Sequence, residues 1–133
     1  MGETKSEIIY EIEFGKSFNK YYPNFPKLTA DKVDDFIEHY EKNGLKGWIG
    51  KIAKSDRIPL DVPNRDELVK KARYYNLWHV HIGDPVWKNS SENGIYVSNW
   101  VIHFQKIGRY KIKLLELDSH KPMTLPNDNL LNE

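Results

Sequence analysis

An α+β domain is the fold class this sequence predicts, and three observations predict it. A period-two alternation runs through the segment ending at Phe14, helical spacing takes over between Thr29 and Gly44, and strand alternation returns from Asn76 onward. At 133 residues, with 39% hydrophobic and 13% aromatic residues, the chain is long enough for one domain with a real core. The expected domain is residues 1–133, with 1–6 and 122–133 as flexible ends.

The elements follow in order. "SEIIYEIEF" sets Ile8, Tyr10, Ile12 and Phe14 against Ile9, Glu11 and Glu13, which reads as a half-buried first strand. "YYPNFPKL" interrupts it with two prolines. In "TADKVDDFIEHYEKNG", Val33, Phe36, Ile37 and Tyr40 recur at i, i+3, i+4 and i+7, Thr29 suits an N-cap and Gly44 a stop. "LKGWIGKIAKS" suggests a short second helix, weakened by Gly47 and Gly50. "NRDELVKKARYY" carries Asn64 and Glu67 at capping-box spacing, so a third helix starts there. Next come strands in "LWHVHI", "YVSNWVIHFQ" and "YKIKLLELDSH". The first two are joined by a connection holding the turn signal Asn93-Gly94, the last two by a tight reversal at "IGR". The tail "KPMTLPNDNLLNE" has no period and is expected to fray. The architecture is thus an N-terminal strand, two to three helices, then an antiparallel three-stranded meander, with the helices on one face of the sheet.

Composition narrows function. Without cysteine, disulfides, thiolate metal sites and cysteine nucleophiles are excluded. No apolar run approaches the ~20 residues of a membrane span and no signal-peptide pattern opens the chain, so a cytoplasmic protein with no membrane partner is expected. Net charge is only +1, yet residues 99–113 hold Lys106, Arg109, Lys111 and Lys113 and no acid, while acids crowd residues 31–41. A near-neutral chain with such a patch can still hold a polyanion locally.

In "LWHVHIG", Trp78, Val80 and Ile82 share one strand face, and Leu77, His79 and His81 the other. The next strand sorts Trp100, Ile102 and Phe104 from Asn99, Val101, His103 and Gln105, and the last sorts Tyr110, Ile112 and Leu114 from Lys111, Lys113 and Leu115. Taking the apolar stripes as the core, packed against the 30–43 helix, leaves an open face bearing His79, His81, His103, Gln105, Lys111 and Lys113. Arg109, His120 and Lys121 lie at its rims. Three readings compete for this face. It is a solvated sheet surface; or a three-imidazole metal site, opposed by the neighbouring Lys111 and Lys113 and by the lack of a carboxylate to orient the rings; or a site that processes a polyanion. Cleaving a phosphodiester through its 2′-hydroxyl needs a base, an acid and positive charge on the developing phosphorane. Histidine, lysine and arginine supply these without a metal or other cofactor.

"YEIEFGKSFNKYYPNF", the helical middle with "LTADKVDDFIEHYEKNG", the "HVHIG" strand, and the ending "IHFQKIGRYKIKLLELDSHKPM" together resemble the RelE/ParE superfamily of type II toxin–antitoxin toxins, YafO-like mRNA interferases above all. The resemblance spans roughly residues 8–122 as a diffuse pattern, with "HVHIG" and "HK" its most specific parts. It implies a small sheet with helices on one side, ribosome-dependent endoribonuclease cleavage of mRNA without a metal, and neutralisation by a cognate antitoxin. Its working groups would be His79, His81 and His103 on the sheet face and His120 with Lys121 after the last strand. His120 or His103 would be the general acid/base, and Lys113, Lys121 and Arg109 would stabilise phosphate charge, with Lys111 beside them on the RNA. His79 and His81 would position the strand or share proton transfer. The ParE branch shares the fold, targets gyrase and lacks nuclease groups, so a non-catalytic toxin or protein-binding module is the alternative.

Overall fold

The structure is a computed structural model in which residues 8–90, 95–120 and 124–132 are described. It is a mixed α+β fold built on one five-stranded sheet. The first strand, β1 (Glu11–Phe14), leads into α1 (Lys16–Tyr21), a short 3-10 turn (Tyr22–Asn24) and the long helix α2 (Lys27–Asn43). Strand β2 (Ile52–Lys54), helix α3 (Arg65–Tyr74) and strand β3 (Leu77–Asp84) follow. Two short strands, β4 (Lys88–Asn89) and β5 (Tyr96–Val97), precede β6 (Trp100–Gly108), β7 (Lys111–Ser119) and α4 (Asp128–Leu131). The main sheet runs β1-β7-β6-β3-β2. Its centre is the expected antiparallel meander, β3 against β6 and β6 against β7, while β1 joins β7 in parallel and β2 joins β3 in antiparallel.

The 3.6-residue stripe of α2 seats Val33, Phe36 and Tyr40 on Val80, Ile82, Ile102, Phe104, Ile112 and Leu114 of the sheet, all nearly or fully buried. Each such side chain contributes about 1.5–3 kcal/mol by leaving water. Trp78 packs against this core from a half-buried position. Trp100 departs from expectation: it stays 39% exposed at the start of β6. The helix begins two residues before Thr29, which is no cap; its buried hydroxyl donates instead to Asp84 at 3.0 Å. Gly44 does stop the helix, at φ +69°, where any Cβ would strike the Tyr10 ring.

Three expectations change. The segment expected as a second helix forms β2, because β3 offers a free edge. His81 donates its N–H to the Lys51 carbonyl, and Ser55 donates to that of Leu77. Those ladder bonds outweigh a helix propensity already lowered by glycine. The third helix is present, but Asn64 sits in the left-handed region without a side-chain cap, so no capping box forms. Most important, the helices do not all lie on one face. Ala72 of α3 and Leu131 of α4 pack on Leu77 and Leu115, covering the face opposite α2. The tail expected to fray is therefore docked over residues 124–132, with Leu130 and Leu131 buried and Asn127 capping α4 by accepting the Leu130 N–H at 3.0 Å. The turn signal Asn93-Gly94, the expected flexible end 1–6 and residues 122–123 of the tail lie outside the described residues. Among the described residues, no helix is long and apolar enough to cross a membrane.

Candidate functional site: a buried histidine cluster under a basic-rimmed cleft

Strand alternation does put His79, His81 and His103 on one face, and cross-strand register sets His79 directly beside His103. That face is covered, not open. His79 is 5% exposed, His81 1% and His103 0%. His120, just past β7, folds over the first two, its ring centroid 4.7 Å from that of His81 and 5.5 Å from that of His79. His79 stands 6.1 Å from His103 and 6.2 Å from His81, so four of the five histidines form one cluster. Gly83 helps to aim it. At φ +84° it carries the irregular pairing between β3 and β6 just after His81, with the Trp87 ring where a side chain would stand.

The rings are held by short polar contacts. Nδ1 of His79 lies 3.0 Å from the fully buried Ser55 hydroxyl. Nδ1 of His81 lies 2.9 Å from both the N–H and the carbonyl of Ser98. It accepts from the first in one tautomer and donates to the second in the other. Among the described residues, Nε2 of His81 and both ring nitrogens of His103 find no hydrogen-bond partner. Each such buried orphan costs about 1–3 kcal/mol, so an unexplained cluster of them calls for a ligand or a function.

Burial sets the charge states. It lowers His79 to about 3, helped by repulsion from His103, His120, His81 and Lys51. It lowers His81 to about 4, with His120 adding to the shift and the Ser98 backbone opposing it. His103 also falls to about 4 through burial, against the pull of Asp118. Glu116, opposite His103 on β7, rises to about 7 through burial and the neighbouring Asp118. At neutral pH the three strand histidines are uncharged bases, and Glu116 is poised to titrate.

Above His79 and His120 opens a cleft of about 600 Å³. Ala53, Ile58, Pro59, Val62 and Leu68 form apolar wall, and Lys51, Arg57 and Lys71 bring positive charge. Lys71 also pairs with Asp128 at 3.1 Å. Lys54 borders the cleft too, but its ammonium lies 5.7 Å over the Trp78 ring. A second cleft of about 530 Å³, between α1 and the tail, touches Glu116 but no imidazole.

Three of the four basic residues expected to work with the histidines are elsewhere. Lys111 and Lys113 both turn to Glu13, at 3.3 and 3.9 Å, and Lys113 is buried there. Arg109 sits in the β6–β7 turn, stacked on Tyr110. Lys121 lies outside the described residues. The cations near the imidazoles come instead from "KIAKSDR" and α3. Read with strand rather than helical period, that stretch puts Lys51, Ala53 and Ser55 on the His79 side, since Ala53 pairs with His79. The signal was present in the sequence, under a helical assignment.

Both grounds for setting a metal aside also change. Lys111 and Lys113 do not crowd the rings, and His79 and His81 each have an outer partner on Nδ1. The ligating atoms of His79, His81 and His120 lie within 4.8 Å of one another, as do those of His103, Glu116 and Asp118. Compared with protein-family models, with curated proteins and with solved structures, the chain matches none.

Proposed function

We propose that this chain is an RNA-cleaving toxin of the type II toxin–antitoxin class, working in the cleft above His79 and His120. One observation carries the reading: a concave site of substrate size unites the buried, neutral imidazole of His79 and the half-buried ring of His120 on its floor with Lys51, Arg57 and Lys71 at its walls. An RNA phosphodiester is the substrate that uses every part. Its phosphates meet the cations, and an unstacked base meets the apolar wall. Its 2′-oxygen attacks phosphorus while the 5′-oxygen leaves, giving a 2′,3′-cyclic phosphate and a 5′-hydroxyl. The 2′ proton passes to a base on the cleft floor, and the departing oxygen takes up a proton. The likeness of "HVHIG" and "SHKPM" to YafO-like toxins supports mRNA on the ribosome as the physiological target and a co-encoded antitoxin as the natural partner.

The test is expression without a partner, followed by incubation of purified protein with ribosomes and mRNA. Growth arrest through halted translation is expected, with mRNA cut at ribosomes. Replacing His120 by Ala should slow cleavage about 10²–10⁴-fold if it is part of the proton-transfer centre. Arrest through DNA damage with intact mRNA, or arrest undiminished in a folded His79→Ala/His120→Ala variant, would refute the nuclease reading. The first result would favour the gyrase-directed alternative.

A further inference from the structure

We infer that His79, His81 and His120 form a binding site for one divalent metal ion, zinc or a metal of similar preference, with an open position facing the cleft. The three candidate ligand atoms come from two residues of one strand and one residue beyond its second neighbour. All lie within 4.8 Å of one another. Tetrahedral zinc, with Zn–N of about 2.0–2.1 Å, sets ligand nitrogens roughly 3.4 Å apart. The rings therefore need to close by at most about 1.4 Å.

The surroundings match what a ligating imidazole requires. Such a ring usually bonds its second nitrogen to a fixed partner, which sets its tautomer and aim. His79 has Ser55 on Nδ1 and His81 has the Ser98 carbonyl, leaving Nε2 of each for the metal. His81 is the independent witness: it is 99% buried, and its Nε2 has no hydrogen-bond partner among the described residues. A proton on that nitrogen would be a buried orphan, whereas a lone pair on it is a ready donor. Three imidazoles and an open fourth position are the catalytic form of a zinc site, in contrast to the closed four-ligand structural form. Lys51 on the rim opposes a dication, and a metal-bound hydroxide or a substrate phosphate offsets that repulsion. The other convergent trio, His103 with Glu116 and Asp118, does not line this cleft. A metal-bound hydroxide would accept the 2′ proton and become water; that role rests on the nuclease reading, whereas metal binding does not.

The experiment titrates the full-length, metal-stripped protein with zinc and, separately, with cobalt(II). Calorimetry, metal analysis after dialysis and the visible absorption of cobalt are the readouts. One ion per chain is expected, with the intense absorption of a tetrahedral cobalt site. Histidine nitrogen resonances should show His81 protonated at Nδ1 in the metal-bound form. His81→Ala and the less buried His120→Asn should each abolish stoichiometric uptake, Ser55→Ala should weaken it about 10–100-fold, and His39→Ala on α2 should leave it unchanged. Circular dichroism confirms which variants fold, and His120→Asn carries the test if His81→Ala does not. No stoichiometric uptake by the unaltered protein overturns the inference. So does uptake that survives in folded His120→Asn, or that is lost in His103→Ala but kept in His120→Asn. RNA cleavage undiminished by EDTA with no metal bound would overturn the metal site and leave the nuclease reading standing; metal bound with no RNA cut would do the reverse.

Discussion

Acid should destabilise this fold far more than its near-neutral net charge suggests, because three histidines are buried without their protons. Lowering the pH from 7 to 5 is the perturbation. His79, His81 and His103 titrate near 6.5 once the chain unfolds but at about 3, 4 and 4 in the folded protein. Between those values the unfolded chain binds more protons, so stability is present above about pH 6.5 and is lost as pH falls toward 4. At 1.36 kcal/mol per pH unit of displaced titration, each histidine removes about 1.9 kcal/mol over this step. Glu116 acts in the opposite sense. Its folded value of about 7, against 4.5 unfolded, makes the folded state the better proton binder, and it returns about 2 kcal/mol over the same step. The net loss is about 3.7 kcal/mol, which lowers Tm by roughly 10–15 °C for a chain of this size. Urea unfolding at half-unit pH steps, in metal-free buffer, measures it. A folded His103→Asn variant should lose about one third of the gross histidine effect. Stability at pH 5 equal to or above that at pH 7 would refute the claim that these imidazoles are buried and neutral.

Two further expectations follow from the packing and the charges. Leu131→Ala should cost about 2–5 kcal/mol in chemical denaturation, because Leu131 seals the histidine face against Leu77 and Leu115; a change within about 0.5 kcal/mol would mean that the tail does not dock. Lys51→Glu with Arg57→Glu should weaken binding of single-stranded RNA and flatten its salt dependence, by about 0.7 for each phosphate no longer neutralised, whereas Lys111→Glu should leave both unchanged; fluorescence anisotropy across a salt series decides between the two surfaces.

Local pattern determined much of this protein by itself. The 3.6-residue spacing of Val33, Phe36 and Tyr40 specifies α2 and the side it buries, since those residues leave water together only as a helix. Alternation through "LWHVHI" specifies that His79 and His81 share a face, because pleating leaves no other arrangement in a strand. The β3–β6–β7 meander was legible from the same period. Tertiary structure decided the rest. The His face looked open because imidazole, lysine and glutamine are residues that water tolerates. Whether water reaches them depends on α3 and α4, whose small contacts through Ala72 and Leu131 leave little trace in sequence. The stretch from Lys51 to Ser55 was ambiguous between helix and strand until the free edge of β3 supplied its hydrogen bonds. His120 reaches His81 from a strand end far along the chain, and no spacing rule predicts that closure. It is a product of strand register, and strand register is settled only when both faces of the sheet are packed.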